Sequence, residues 1–118
     1  MNNNFIMIDG IINNKFNFKK TLKKTDSIMW KKCFNLKISI KSKINKLLII
    51  NCKDIDIKIG DTISGIEIEN SNNINIKCRK NTSIKYLNSY KSNVKIKVDE
   101  KQKDNISFDT HKSVINFN

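Results

Sequence analysis

The feature that most limits what this chain can fold into is a repeat built on alternation. Apolar and polar residues take turns along almost its whole length, as in Ile6-x-Ile8, Phe16-x-Phe18, Leu36-x-Ile38-x-Ile40, Ile55-x-Ile57-x-Ile59, Ile66-x-Ile68, Ile74-x-Ile76 and Val94-x-Ile96-x-Val98. Alternation carried by β-branched residues predicts strands with one buried face. The strands recur in units: two apolar residues in alternation, a short corner, then two or three more. Anchored on the residue three places after the second apolar position, the units fall at Ile11, Cys33, Cys52, Ser71, Ser89 and His111. Units two to four share one register, with anchors 19 residues apart. Units five and six fit it only if one or two residues are inserted at the corner.

A period near 19 with two strands per unit predicts an all-β chain wound as a parallel β-helix of about six coils, a single domain over residues 1–118. Stacked coils lie ~4.8 Å apart and bring equivalent residues into ladders. Two places after the anchors stand Asn13, Asn35, Asp54 and Asn73, with Asn93 and Ser113 at the same corner once insertions are allowed. One place before the anchors stand Asn51, Asn70 and Asn88. Asn and Asp tolerate left-handed backbone and bond their own turn, which is what a column at a tight corner needs. A sandwich of short strands is the plainer alternative. Only Lys19 to Lys24 could pass for a helix, and that stretch is too short and too basic to carry an apolar stripe.

Composition enters where charge does. Lys, Ile and Asn supply 63 of the 118 residues, and Ala and Pro are absent. Those three are the residues whose codons can be written almost wholly in A and T, so part of the net charge of +12 reflects an A/T-rich genome. The sign still favours acidic partners. One short chain has one core, burying ~60–70% of its unfolded surface, and this excludes an enzyme with separate cofactor and substrate lobes. The longest apolar run, Leu47 to Ile50, is far too short for a membrane helix, and Met1-Asn2-Asn3-Asn4 carries no secretory signal. Cys33, Cys52 and Cys78 form no CxxC pair and there is one histidine, so no metal site is expected. Reduced thiols in the cytoplasm are the expectation. Cys33 and Cys52 should stack on adjacent coils within disulfide reach, and buried free thiols are the expected state.

The outward columns carry the surface chemistry. One sheet face should show Lys15, Lys37, Asp56, Asn75 and Lys95 beside Asn17, Ser39, Lys58, Lys77 and Lys97; another should show Glu67 and Glu69 with Asp9 and Asp109. Lysines stacked on successive coils repel unless something acidic faces them. The face is therefore either a docking stripe for an acidic partner or a solvated surface that keeps sheets from pairing edge to edge. Catalysis finds no constellation: His111 lacks a partner assignable by spacing, and Gly10, Gly60 and Gly65 are too scattered for a phosphate loop, so neither an enzyme nor a cofactor is expected. Nucleic acid is weakly supported, because Phe16, Phe18, Trp30, Phe108 and Phe117 fall mostly on inward columns.

Three segments, Ser27-Ile28-Met29-Trp30-Lys31-Lys32-Cys33, Leu36-Lys37-Ile38-Ser39-Ile40-Lys41-Ser42-Lys43-Ile44-Asn45 and Leu48-Ile49-Ile50-Asn51-Cys52-Lys53, resemble the C-terminal domain of cyclase-associated proteins. The K-x-K-[IV]-N turn and the N-C-K corner are the distinctive motifs, and the likeness is strongest from Ser27 to Cys78. The resemblance implies a right-handed β-helix, binding of monomeric actin and promotion of its nucleotide exchange. It also implies dimers made by exchanging C-terminal strands, but the chain stops at Asn118 where the family continues into its exchanging tail, which argues against that route. Ser42 replaces the turn's Gly, and the family's Pro-Thr-Ile-Ser-Ile element survives only as Thr82-Ser83-Ile84. Partner-binding candidates are Lys41, Lys43, Asn45 and Lys53 on the motifs, with Lys58, Lys77 and Lys97 on the stacked column.

Tubulin-folding cofactor C belongs to the same superfamily, and its relatives stimulate GTP hydrolysis with an arginine. Arg79, the only arginine, is the one candidate for such a finger. A scaffold protein of an A/T-rich large DNA virus or parasite, in virion or host cytoplasm, is a further alternative.

Overall fold

The computed structural model describes residues 4–18 and 22–117 and shows a parallel β-helix. Twelve strands follow one another: β1 Phe5–Asp9, β2 Ile12–Phe18, β3 Ser27–Lys31, β4 Phe34–Ile40, β5 Lys46–Ile50, β6 Lys53–Ile59, β7 Ile66–Glu69, β8 Asn72–Cys78, β9 Tyr86–Tyr90, β10 Asn93–Lys97, β11 Ser107–His111 and β12 Val114–Phe117. Odd-numbered strands form one six-stranded sheet and even-numbered strands the other, each in sequence order. Every pairing is parallel. One strand from each sheet makes a rung, giving six rungs.

Register explains the core. On the odd sheet Ile28, Leu47, Ile66 and Leu87 stack in one inward column, and Trp30, Ile49, Ile68 and Ser89 in the next. On the even sheet Leu36, Ile55, Ile74 and Val94 stand beside Ile38, Ile57, Ile76 and Ile96. All of these are buried. The loops that join one rung to the next close the third side and bury Leu22, Ile44, Thr62, Ile84 and Ile106 among other residues. At the amino-terminal end Phe16 meets Trp30 edge-on, with ring centroids 4.8 Å apart.

The corner between the two sheets corrects the expected register of the last two units. Ser89 is not a corner residue; it faces inward from β9, level with Ile68. His111 closes β11, level with Tyr90. Ser92 and Ser113 take the anchor place, because Glu69 pairs with Tyr90 and Tyr90 with His111. Since Val94 pairs with Ile74, the corner of the fifth rung is one residue shorter than that of the fourth, not longer.

The missing residue is a left-handed one. Gly10, Lys32, Asn51, Asn70, Lys91 and Lys112 adopt positive φ before the anchor on every rung, while Asn13, Asn35, Asp54 and Asn73 do so after it on the first four only. Asn93 and Ser113 therefore do not extend the second column, and Asn88 lies within β9 rather than at the corner.

The anchors form a side-chain ladder. The Cys33 N–H donates to Cys52 Sγ at 3.4 Å, the Cys52 N–H to Ser71 Oγ at 3.0 Å, the Ser71 N–H to Ser92 Oγ at 3.0 Å, and the Ser92 N–H to Ser113 Oγ at 3.1 Å. Each acceptor donates back to the carbonyl two residues before it, as Ser71 Oγ does to Glu69 at 2.9 Å. All three cysteines are free and buried.

A short helix, α1 Glu100–Asp104, stands in the last third-side loop where alternation had suggested none. Its signal is a capping box, in which Asp99 accepts from the Gln102 N–H and Gln102 Oε1 accepts from the Asp99 N–H. Of the Lys19–Lys24 stretch, Leu22 to Lys24 are not helical, and Lys19, Lys20 and Thr21 lie outside the described residues, as do Met1 to Asn3.

Candidate partner-binding face

Outward positions of the even sheet form the two columns expected from the repeat. Lys15, Lys37, Asp56, Asn75 and Lys95 stack in one; Asn17, Ser39, Lys58, Lys77 and Lys97 stack two residues further along the strands. Between them runs a shallow cleft of about 610 Å³, lined by six lysines and by Asp56 as its one acid. The Asp56 carboxylate accepts from Asn75 Nδ2 at 2.9 Å and is thereby held to the floor. All six lysines are exposed, and none is ion-paired among the described residues. Neighbouring ammoniums on successive rungs raise one another's energy, and an anionic partner removes that cost.

The odd sheet is different in character. Its outward columns read Met7, Met29, Leu48, Glu67, Asn88 and Asp109 in one and Asp9, Lys31, Ile50, Glu69, Tyr90 and His111 in the next, so apolar and charged side chains alternate in blocks and Asp9 stands far from Glu67 and Glu69. Here Lys46 pairs with Glu67, and His111 with Asp109 at 2.9 Å.

The motif residues sit elsewhere. Lys41 and Lys43 are exposed on the turn after β4, whereas Lys53 opens β6 at the opposite end of the even sheet, roughly 20 Å away along a seven-residue strand. The structure does not bring them together. Asn45 is committed to the fold: its Nδ2 donates to Ser27 Oγ at 2.9 Å, its Oδ1 accepts from Ser64 Oγ at 2.8 Å, and its N–H donates to the Asp26 carbonyl at 2.8 Å, tying three rungs together. Lys58, Lys77 and Lys97 do form one column. Lys15, Lys37 and Lys95 complete the basic line; their membership depends on register across five strands, which single motifs do not reveal.

Arg79 is also structural. Its Nε donates to the Ile40 carbonyl at 3.1 Å and its Nη2 to Ser39 Oγ at 2.8 Å, while its own carbonyl accepts from Gln102 Nε2 at 2.6 Å. A guanidinium laid along its own sheet is not poised as a finger. Burial pushes the Cys52 thiol up to about 11 and the Cys78 thiol up to about 12, so both stay neutral and poorly nucleophilic at ordinary pH. Among the described residues no group of side chains is arranged to hold a metal ion, and no helix is long and apolar enough to cross a membrane.

A stack of six short rungs with one basic sheet face defines a β-helical solenoid domain. The chain belongs to the adenylate cyclase-associated (CAP) C-terminal family, whose profile matches residues 4–117 and so extends the likeness well beyond Ser27 to Cys78. No curated protein matches the chain. Among solved structures it is similar to cyclase-associated protein from Cryptosporidium parvum, with a TM-score of 0.81 and 20% identity over 99% of this chain and 71% of that one. At that identity the likeness is one of fold.

Proposed function

We propose that this domain is a non-enzymatic binding module that engages monomeric actin, or a closely similar cytoskeletal protein, and promotes its nucleotide exchange. The observation that carries the reading is the continuous line of lysines on the even sheet of a chain belonging to the CAP C-terminal family. A protein interface of ordinary size takes ~800 Å² from each partner. With extents of 31 × 29 × 22 Å, one face of the molecule is large enough to supply it. Lysine columns set orientation and speed encounter with an acidic surface more than they add raw affinity.

Fluorescent-nucleotide exchange on monomeric actin tests this. The domain is expected to accelerate exchange at physiological salt, and a Lys58→Glu/Lys77→Glu variant that still folds is expected to lose the effect. No acceleration by the unaltered domain, or full acceleration by the variant, overturns the reading.

A further inference from the structure

The six lysines of the cleft do not form two full columns. Lys15 and Lys37 occupy the first column on the first two rungs; Lys58 and Lys77 occupy the second column on the next two; Lys95 and Lys97 occupy both on the fifth. Where the second column carries Asn17 and Ser39, the first carries lysine, and where the first carries Asp56 and Asn75, the second does; the Arg79 guanidinium beside Ser39 adds a fixed cation on the second rung. Each of five consecutive rungs thus contributes at least one ammonium, and the line crosses the face at a slant. Rungs rise ~4.8 Å each, and columns lie ~6.8 Å apart along the strand, so the step from Lys37 to Lys58 is about 8 Å and the whole line about 20 Å long.

From this we infer that the cleft takes an extended acidic segment of a partner polypeptide, laid across the strands along the lysine line. The inference concerns the face assigned above and rests on that assignment. About six extended residues span ~20 Å, and carboxylates on one face of such a segment recur every ~6.8 Å, between the ~4.8 Å step within a column and the ~8 Å step from Lys37 to Lys58, so about four carboxylates meet the five rungs. The segment crosses a sheet face, where no backbone groups are offered, so side-chain charge sets recognition and the order of residues matters little.

A nucleic acid fits less well. Single strands bind through stacking on exposed aromatics, and the cleft offers none, because Phe16 is turned into the core against Trp30 and Tyr86 and Tyr90 stand on the other sheet. Nor does the cleft offer a free arginine fork for phosphate: the guanidinium that lies against it, that of Arg79, donates to Ser39 Oγ and to the Ile40 carbonyl.

The test is fluorescence anisotropy with a labelled twelve-residue peptide alternating Glu and Ser, set against a labelled thymidine oligonucleotide of equal charge, at low and physiological salt. The peptide is expected to bind more tightly than the oligonucleotide. Lys37→Gln/Lys58→Gln/Lys77→Gln is expected to weaken peptide binding about tenfold, while Lys23→Gln/Lys101→Gln/Lys112→Gln, with the same loss of charge, changes it less than about twofold. Asp56→Asn keeps the acceptor for Asn75 and is expected to tighten binding about threefold. Oligonucleotide binding equal to or tighter than peptide binding, or equal losses in the two triple variants, overturns the inference. The assay contains no actin. Peptide binding without actin activity sinks the actin reading alone, and actin activity without peptide binding sinks this one alone.

Discussion

Single residues at the corner decide how the chain turns. Each rung needs one left-handed residue before its anchor, and the chain fills that place with Gly10, Asn51 and Asn70 but also with Lys32, Lys91 and Lys112. Asn is legible there because it is enriched in left-handed backbone; Lys gives no such signal, and the fifth and sixth rungs also lack the second left-handed residue that marks the corner on the first four. The anchor ladder was half legible for a related reason. Cys33, Cys52 and Ser71 follow clean alternation, whereas Ser89, a polar residue facing inward, mimics an anchor three places too early. The ladder yields a direct expectation at Cys52. Cys52→Ser keeps an acceptor for the Cys33 N–H, as Ser71 and Ser92 do on later rungs, and should cost less than ~1 kcal/mol. Cys52→Val leaves that buried N–H without a partner and should cost about 1–3 kcal/mol. Urea denaturation of the two variants compares them, and equal costs would mean that the thiol serves only as filling.

Strands and loops differ in how openly the sequence shows them. Strand existence, pairing order and the identity of both lysine columns follow from a period of two combined with a period near 19, and the observed registers reproduce those columns. The third side follows no such period. Leu22, Ile44, Thr62, Ile84 and Ile106 are separated by 22, 18, 22 and 22 residues and are surrounded by loop sequence, so their burial, and the pairing of Ile44 with Thr62, emerge only once the rungs are stacked. The helix α1 was hidden because one turn carries no apolar stripe; its capping box was the available signal.

Tight passage on that side predicts sensitivity at Gly65. Its φ is +88°, and an added Cβ would lie 2.5 Å from the Tyr86 carbonyl oxygen, while its N–H donates to Thr62 Oγ1 at 3.0 Å. Gly65→Ala should cost about 3 kcal/mol or more in urea denaturation, or prevent folding. Gly10, with nothing within 4 Å of a built Cβ, should accept Asn at a cost of a few tenths of a kcal/mol. Similar losses at both glycines would contradict this reading of the third side.

At the scale of the whole molecule, the net charge of +12 is distributed rather than uniform. The even sheet carries a slanting line of six lysines with one carboxylate, and the odd sheet mixes Met7, Met29 and Leu48 with Asp9, Lys31, Glu67, Glu69 and Asp109. Charge count was plain in the sequence, and so were the two columns that hold Lys15, Lys37 and Lys95 beside Lys58, Lys77 and Lys97; codon bias hid which lysines matter, and stacking adds the slant of the line across both columns. Lys41 and Lys43 stand apart from Lys53 for the same geometric reason: a motif read in one dimension spans a whole strand in three. If position rather than total charge governs partner binding, equal charge changes at different places must differ in effect. The deciding measurement is calorimetric titration of monomeric actin at physiological salt with Lys58→Glu/Lys77→Glu and with Lys23→Glu/Lys112→Glu. The first should weaken binding at least about tenfold and the second less than about twofold. Equal losses in both variants, or no binding by the unaltered domain, would contradict the account.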